Sequence, residues 1–334
     1  MRHRNIPVFI PHLGCPHQCV FCNQNSISGC RGFREESVEE QIRTVLSGIP
    51  PEDETEIAFF GGSFTGIPRE LMCRLLDMAE RFVGEGRVTS IRISTRPDYI
   101  SPEILRILSG YSVRHIELGL QSMDDEVLSA SRRGHTVRQA EDACRAVREA
   151  GFSLTGQMMI GLPASTPEKE RFTAQRIAEL GAGSARIYPT VVFYDTPLCR
   201  MTGDGTYRPL SVQEAVERSA NALEILEGHN IPCIRIGLCA TESLTSPEAV
   251  LAGPNHPAIG ELVRSEVCYR KLCRQAEREA LCGKTVQLHC PPTAVSVAVG
   301  QHRSNPARLL RQYGITVSRI VCEKDAREPY FSLT

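Results

Sequence analysis

The chain has 334 residues, 41% of them hydrophobic, a formal net charge of −1 and no tryptophan. Such a composition buries a large core and offers no global attraction to polyphosphate, so a nucleic-acid partner would need a local basic surface. No apolar run approaches the roughly 20 residues of a membrane span, and Met1-Arg2-His3-Arg4-Asn5 leads straight into a strand-like segment with no apolar export signal. A cytoplasmic protein is predicted. The 14 cysteines are scattered through a medium-sized chain, which favours reduced thiols and a metal site over a disulfide framework.

Short β-branched or apolar runs alternate with longer amphipathic stretches, the pattern of a parallel sheet with helical crossovers. Strands are predicted over residues 7–11, 56–60, 91–94, 115–120, 157–161, 185–193 and 232–238, with helices between them. Ser37 with Glu40, Thr136 with Gln139 and Ser211 with Glu214 read as capping boxes, while Ser101-Pro102 and Thr166-Pro167 set a cap before a first-turn proline. The helix from Ser211 repeats apolar residues at Val212, Ala215, Val216, Leu223 and Leu226, so one face should pack on the sheet. Six βα units following the first strand predict an α/β fold, a partial (β/α)6 barrel whose working rim is the C-terminal ends of its strands. Past about residue 240 the rhythm changes. A Gly253-Pro254-Asn255-His256-Pro257 turn, a charged helix over 258–281, a strand over 295–299, a helix over 305–313 and a strand over 315–321 predict a small α/β extension. The expected division is a barrel over 1–240 and an extension over 241–334 packed on it.

The motifs fall on that rim. Residues 15–22 follow the first strand, Gly61-Gly62-Ser63 the second, Ser94-Thr95-Arg96-Pro97-Asp98 the third, Gln121-Ser122 the fourth and Gly161-Leu162-Pro163 the fifth. In Cys15-Pro16-His17-Gln18-Cys19-Val20-Phe21-Cys22, three thiolates can hold three irons of a cubane cluster and leave the fourth iron open for a substrate or cofactor. A zinc site completed by His12 or His17 is the alternative, although zinc knuckles normally bring paired ligand units. Gly61 and Gly62 let backbone groups approach a ligand closely, or simply make a tight turn.

The cysteine spacing and Phe21 resemble the radical S-adenosylmethionine (SAM) superfamily. The resemblance implies a 4Fe-4S cluster on Cys15, Cys19 and Cys22, SAM chelating the open iron, Phe21 among the cofactor-binding residues, and cleavage of the sulfonium to a 5′-deoxyadenosyl radical. Gly61-Gly62-Ser63 is similar to the glycine-rich motif that receives the SAM ammonium, with Ser63 where an acidic residue is common. The run Ile116-Glu117-Leu118-Gly119-Leu120-Gln121-Ser122, followed by Arg133-Gly134-His135-Thr136, resembles the branch containing oxygen-independent coproporphyrinogen oxidases and the catalytic subunit of Elongator. There the resemblance implies that Gln121 approaches the SAM ribose and Arg133 its carboxylate, a contact suited to a guanidinium fork. Ser94 stands where relatives often carry Glu.

Over residues 6–240 the closer resemblance is to Elongator catalytic-subunit-like proteins, carried by Phe9-Ile10-Pro11-His12-Leu13-Gly14-Cys15, Ser94-Thr95-Arg96-Pro97-Asp98, Arg132-Arg133-Gly134-His135-Thr136 and Arg186-Ile187-Tyr188-Pro189-Thr190. It implies radical chemistry at C5 of the tRNA wobble uridine with acetyl-CoA as donor, tRNA as partner, and a reductant such as flavodoxin or ferredoxin. The chain ends at Thr334, so an acetyltransferase domain beyond the extension is not expected in it.

Tyr188 and Asp195, near the end of the sixth strand, are the substrate-facing candidates, though Tyr188 also reads as a packed barrel residue. Cys268, Cys273, Cys282 and Cys290 are spaced too irregularly for a zinc knuckle and read as plain thiols. Gly300-Gln301-His302-Arg303-Ser304-Asn305 offers amides and Arg303 to a phosphate, or is an ordinary capped turn. Three functions stand: radical modification of RNA, radical chemistry on a small metabolite or tetrapyrrole, and a non-catalytic RNA-associated scaffold that keeps its cluster for structure.

Overall fold

Seven parallel strands form one curled sheet in the order β1-β2-β3-β4-β5-β6-β8. They are β1 (His3–Phe9), β2 (Glu54–Phe60), β3 (Ser90–Thr95), β4 (Val113–Gln121), β5 (Ser153–Ile160), β6 (Ser184–Pro189) and β8 (Cys233–Ile236). The computed structural model describes residues 3–15, 19–24, 32–238, 248–323 and 331–334; His17 and the expected boundary at residues 240 and 241 lie outside them. Among the described residues no helix is long and apolar enough to cross a membrane.

The crossovers are α1 (Val38–Ser47), α2 (Arg69–Gly84), α3 (Pro102–Leu108), α4 (Asp125–Ala130), α5 (Val137–Glu149), α6 (Pro167–Glu179), α7 (Pro197–Gly203) and α8 (Val212–Gly228). Capping boxes close the starts of α5 and α8, and Ser101 and Thr166 accept from Ile104 and Lys169 amides behind first-turn prolines. The outer sheet face is apolar in register: Ile6, Ile57 and Ile91 are Cα partners in successive strands and are fully buried. Ile42, Leu75, Val147, Ile177 and Leu223 from the helices join the same core.

The inner face differs. Along β6, Ala185, Ile187 and Pro189 are buried while Ser184, Arg186 and Tyr188 are only half-buried. Because successive strand residues point to opposite faces, the helix-covered side is sealed and the concave side is partly open at β6, while Glu56, Arg92 and Glu117 on it are buried. A full eight-stranded barrel of this kind packs its interior with apolar side chains; here Glu56, Arg92, Glu117, Gln157 and Arg186 take those places and bond one another.

Past the barrel, α9 (Ile259–Arg278) lies against α8 and serves two cores. Its Val263 and Val267 enter the barrel core, whereas Cys268, Leu272 and Ala276 enter a second one with Leu288, Leu309, Ile315 and Leu333. Arg270 and Arg274 both pair with Glu224, each at 2.9 Å, and Lys271 pairs with Glu227 at 2.7 Å across the two helices. The second sheet has the order β11-β10-β12. It comprises β10 (Thr285–Cys290), β11 (Thr316–Cys322) and β12 (Ser332–Leu333), with α10 (Val295–Val299) and α11 (Ser304–Tyr313) between β10 and β11.

Three local expectations are corrected and one further strand is found. Residues 185–193 are two strands: Pro189 ends β6, Thr190 turns back onto the Ile160 carbonyl, and β7 (Val192–Phe193) pairs antiparallel with β9 (Val250–Ala252). Ser37 does not cap α1; it already has helical backbone after the tight turn Glu35–Ser37, and its hydroxyl donates to the Arg34 carbonyl at 2.9 Å. Val295–Val299 is helical and not a strand, because Val295 and Ala298 both pack on the second core, and packing outweighs β propensity. The strand preceding it, Thr285–Cys290, had not been expected there; Val286, Leu288 and Cys290 alternate inward along it.

Candidate functional site

After β1 the chain folds onto the turn that follows β2. The Ile10 amide donates to the Phe60 carbonyl at 2.8 Å, and the Ser63 amide donates to the Leu13 carbonyl at 2.9 Å. This contact explains the glycines. A Cβ on Gly62 would stand 2.1 Å from the Leu13 oxygen, and one on Gly14, whose φ is +71°, 2.2 Å from the Ser63 oxygen. Two backbones touch where any side chain would hold them apart, so Gly62 first serves the seating of the cysteine loop.

The loop's far side docks elsewhere. The Val20 amide donates to the Ser131 carbonyl at 3.1 Å, and the Leu198 amide donates to the Val20 carbonyl at 2.8 Å. Cys19 and Phe21 belong to a small apolar cluster with Val20, Val127, Val192, Leu198 and Tyr207. Cys15 Sγ lies 3.3 Å from the hydroxyl of the fully buried Ser63. Among the described residues no three His, Cys, Asp or Glu side chains converge as a preformed metal cage. His12 accepts from the Gln24 amide at 3.1 Å through Nε2.

Two guanidinium groups meet at Cys19. Arg133 puts Nη1 3.3 Å from Cys19 Sγ and donates from Nη2 to the Gly119 carbonyl at 2.6 Å. Arg96, fastened to both Asp98 oxygens at 2.9 Å each, puts Nη1 4.0 Å from the same sulfur and donates from Nη2 to the Arg133 carbonyl. Burial, then the neighbouring Cys19, pushes the Cys22 thiol up to about 12. Burial and the Arg133 charge push His135 down to about 3, so its ring is neutral.

Gln121 stands at the end of β4, where the register with β5 slips between Gly119 and Gln121. The irregularity re-aims the side chain, and Gln121 itself has φ +66°. Gly119 leaves it room: a Cβ there would stand 2.9 Å from Gln121 Nε2 and 3.1 Å from Arg133 Nη2. Gln121 Oε1 and Arg133 Nε are buried with no hydrogen-bond partner in the structure.

Tyr188 lies on the inner face of β6, its hydroxyl accepting from Arg186 Nη1 at 3.3 Å. Asp195 is exposed in the turn after β7, with φ +61°, and the carbonyl of its neighbour Tyr194 accepts from Asn23 Nδ2 at 3.3 Å, next to the cysteine loop. Cys268 and Cys290 are core thiols, with burial pushing Cys268 up to about 12, and Cys282 is exposed. Sequence reasoning quoted Arg96 but gave it no role, and it missed the polar inner row. The available signal was a lone charge inside an apolar strand: Arg92, Glu117 and Arg186 each sit between apolar neighbours.

The Radical SAM superfamily model matches residues 9–177, and the Radical_SAM C-terminal domain model matches residues 183–268. The chain belongs to the radical SAM superfamily. It is a radical SAM enzyme, and its cofactors are a 4Fe-4S cluster and SAM. An uncharacterized protein of Methanocaldococcus jannaschii is 29% identical over 264 residues, covering 75% of this chain and 78% of that protein. The tRNA uridine(34) acetyltransferase of Methanocaldococcus infernus is 26% identical over 254 residues, covering 64% of this chain but only 47% of that protein. The chain thus spans about half the length of that relative. In fold, the chain is similar to the archaeal Methanocaldococcus infernus Elp3 lacking its N-terminus, with a TM-score of 0.61 at 20% identity over 84% of this chain and 63% of that one.

Proposed function

We propose that Cys15, Cys19 and Cys22 hold the cluster, that Gly61, Gly62, Ser63, Phe21, Gln121 and Arg133 receive SAM, and that the enzyme modifies RNA at a tRNA wobble uridine. One observation carries the site: at the strand ends two guanidiniums converge on Cys19 while Arg133 Nε and Gln121 Oε1 remain buried and unpartnered. A buried polar atom left unsatisfied costs about 1–3 kcal/mol, so its presence fits a polar ligand. The Cys22 thiol fits a metal ligand for a similar reason, since burial and the neighbouring Cys19 disfavour its charge unless a cation offsets it. When bound, the cluster and SAM supply one-electron cleavage of the sulfonium and removal of a hydrogen atom from a substrate carbon.

The chain's own residues set the geometry. Asp98 holds Arg96, Arg96 holds the Arg133 backbone, and Arg133 offers its fork to a carboxylate. The partly open inner face is read as the chamber where substrate meets the cofactor, with Tyr188 on its wall and Asp195 at the outer turn. The tRNA reading draws on the name of the acetyltransferase relative. Because the shared length is about half of that protein, the group transferred is not carried over with it. A flavodoxin or ferredoxin as reductant and a cytoplasmic setting belong to the same reading, with residues 1–240 as the catalytic unit and 241–334 docked on it through α9.

The test has two parts. Anaerobically reconstituted protein with dithionite and SAM should release 5′-deoxyadenosine, which also eliminates a purely structural cluster. Nucleosides of total tRNA from deletion and parent strains should differ at a modified uridine. An unchanged nucleoside profile together with no RNA binding would overturn the RNA substrate and leave the small-molecule reading.

A further inference from the structure

We infer that Arg186 and Arg235, side by side on the inner face of β6 and β8, form with Tyr188 a binding site for the carboxylate of a small reactant. The two arginines are direct Cα partners in the parallel register. Like charges so placed repel, and among the described residues the one carboxylate that pairs with either is Glu117, bonded to Arg186. Glu117, fully buried, accepts from Arg92 at 3.2 Å and Arg186 at 2.7 Å through Oε1 and from Gln157 at 2.8 Å through Oε2. Among the described residues no carboxylate pairs with Arg235, whose Nε donates to the Gly237 carbonyl at 3.1 Å. Arg186 lies over the Phe60 ring at 5.3 Å, donates to the Tyr188 hydroxyl at 3.3 Å, and keeps its buried Nε without a partner.

The pair therefore concentrates positive charge on the inner face, where both side chains are half-buried and the buried Arg186 Nε–H is left without a partner. A planar carboxylate takes two such donors at once. Depth selects a small molecule. Arg186 stands three residues before Pro189, the end of β6, or about 10 Å below the rim at the strand rise. A phosphodiester chain continuing on both sides does not descend that far between strands. The inference rests on the reading of the barrel interior as the reaction chamber, and it assigns that chamber a second, non-nucleic-acid occupant.

The test uses the anaerobically reconstituted full chain with S-adenosylhomocysteine filling the cofactor site. Acetate, malonate and succinate are titrated by calorimetry, with acetamide and inorganic phosphate as comparisons. At least one carboxylate should bind saturably at one site, more tightly than acetamide and phosphate, and Arg235→Gln should weaken it about tenfold or more. Arg186→Gln strips Glu117 of a partner and endangers the fold, so Arg235→Gln is the deciding variant. Absence of saturable carboxylate binding, binding indifferent to Arg235→Gln, or a preference for phosphate would each overturn the inference. Deoxyadenosine release and the tRNA nucleoside comparison do not depend on this titration, so failure here is distinguishable from failure of the proposed function.

Discussion

Arg133 Nη1 lies 3.3 Å from Cys19 Sγ, and Cys19 is 6% exposed. The buried sulfur and the buried guanidinium form one unit, so removing either should have different and separable effects. Cys19→Ala should abolish the iron–sulfur absorbance and deoxyadenosine release together. Cleavage at the parent rate would mean that Cys19 is no ligand.

Arg133→Lys should keep iron but weaken the dependence on SAM by about 10- to 100-fold, because an ammonium cannot replace two parallel charge-assisted bonds. Deoxyadenosine formation measured against SAM concentration checks it. An unchanged SAM dependence would remove Arg133 from the cofactor's carboxylate.

Gly62→Ala should lower stability by roughly 1–3 kcal/mol through overpacking, since the new methyl meets the Leu13 and Ile10 carbonyls at 2.1 and 2.7 Å, both of them backbone. The cysteine loop must lift to relieve it, so iron content after reconstitution should fall too. Urea unfolding and an iron assay read the two effects separately.

Glu117→Ala should destabilise by about 3 kcal/mol or more, the cost of breaking a buried ion pair from one side. It leaves Arg186 without a carboxylate and Arg92 with only Glu56. A change below about 1 kcal/mol in urea unfolding would show that water already satisfies these arginines.

His135 predicts a pH signature. Its folded pKa is pushed down to about 3, below the unfolded value of 6.5. Between those values the unfolded chain binds a proton that the folded chain refuses, so stability is lost as the pH falls below about 6.5, by up to about 1.4 kcal/mol per pH unit. His135→Gln should remove that part of the slope. Parent and variant profiles running parallel from pH 7.5 to 5 would contradict it.

Much of this molecule was legible in its residues. The apolar cores of β2 to β6 and the caps at Thr136, Ser211, Ser101 and Thr166 are local signals, and tertiary packing agrees with them. Signals that depend on neighbours far along the chain were not legible. Ser37 looks like a cap until the preceding turn is known to be helical, and Val295–Val299 looks like a strand until the second core claims Val295 and Ala298. The cysteine loop announced itself through spacing, whereas Arg96 did not. Its role depends on a backbone carbonyl 37 residues away, which no short motif encodes.

The sidedness of the sheet bears on how such an enzyme changes over time. Its cohesion resides in the apolar rows beneath the helices, Ile57, Ile91, Ile116 and Ile187 among them. Ser94, Gln157, Met159 and Tyr188 on the concave wall are only half-buried. Gln157 is tied to the buried Glu117, but replacing Ser94, Met159 or Tyr188 should redirect which molecule is accepted at little expense to folding, so descendants of this scaffold can exchange reactants while keeping the same outer shell.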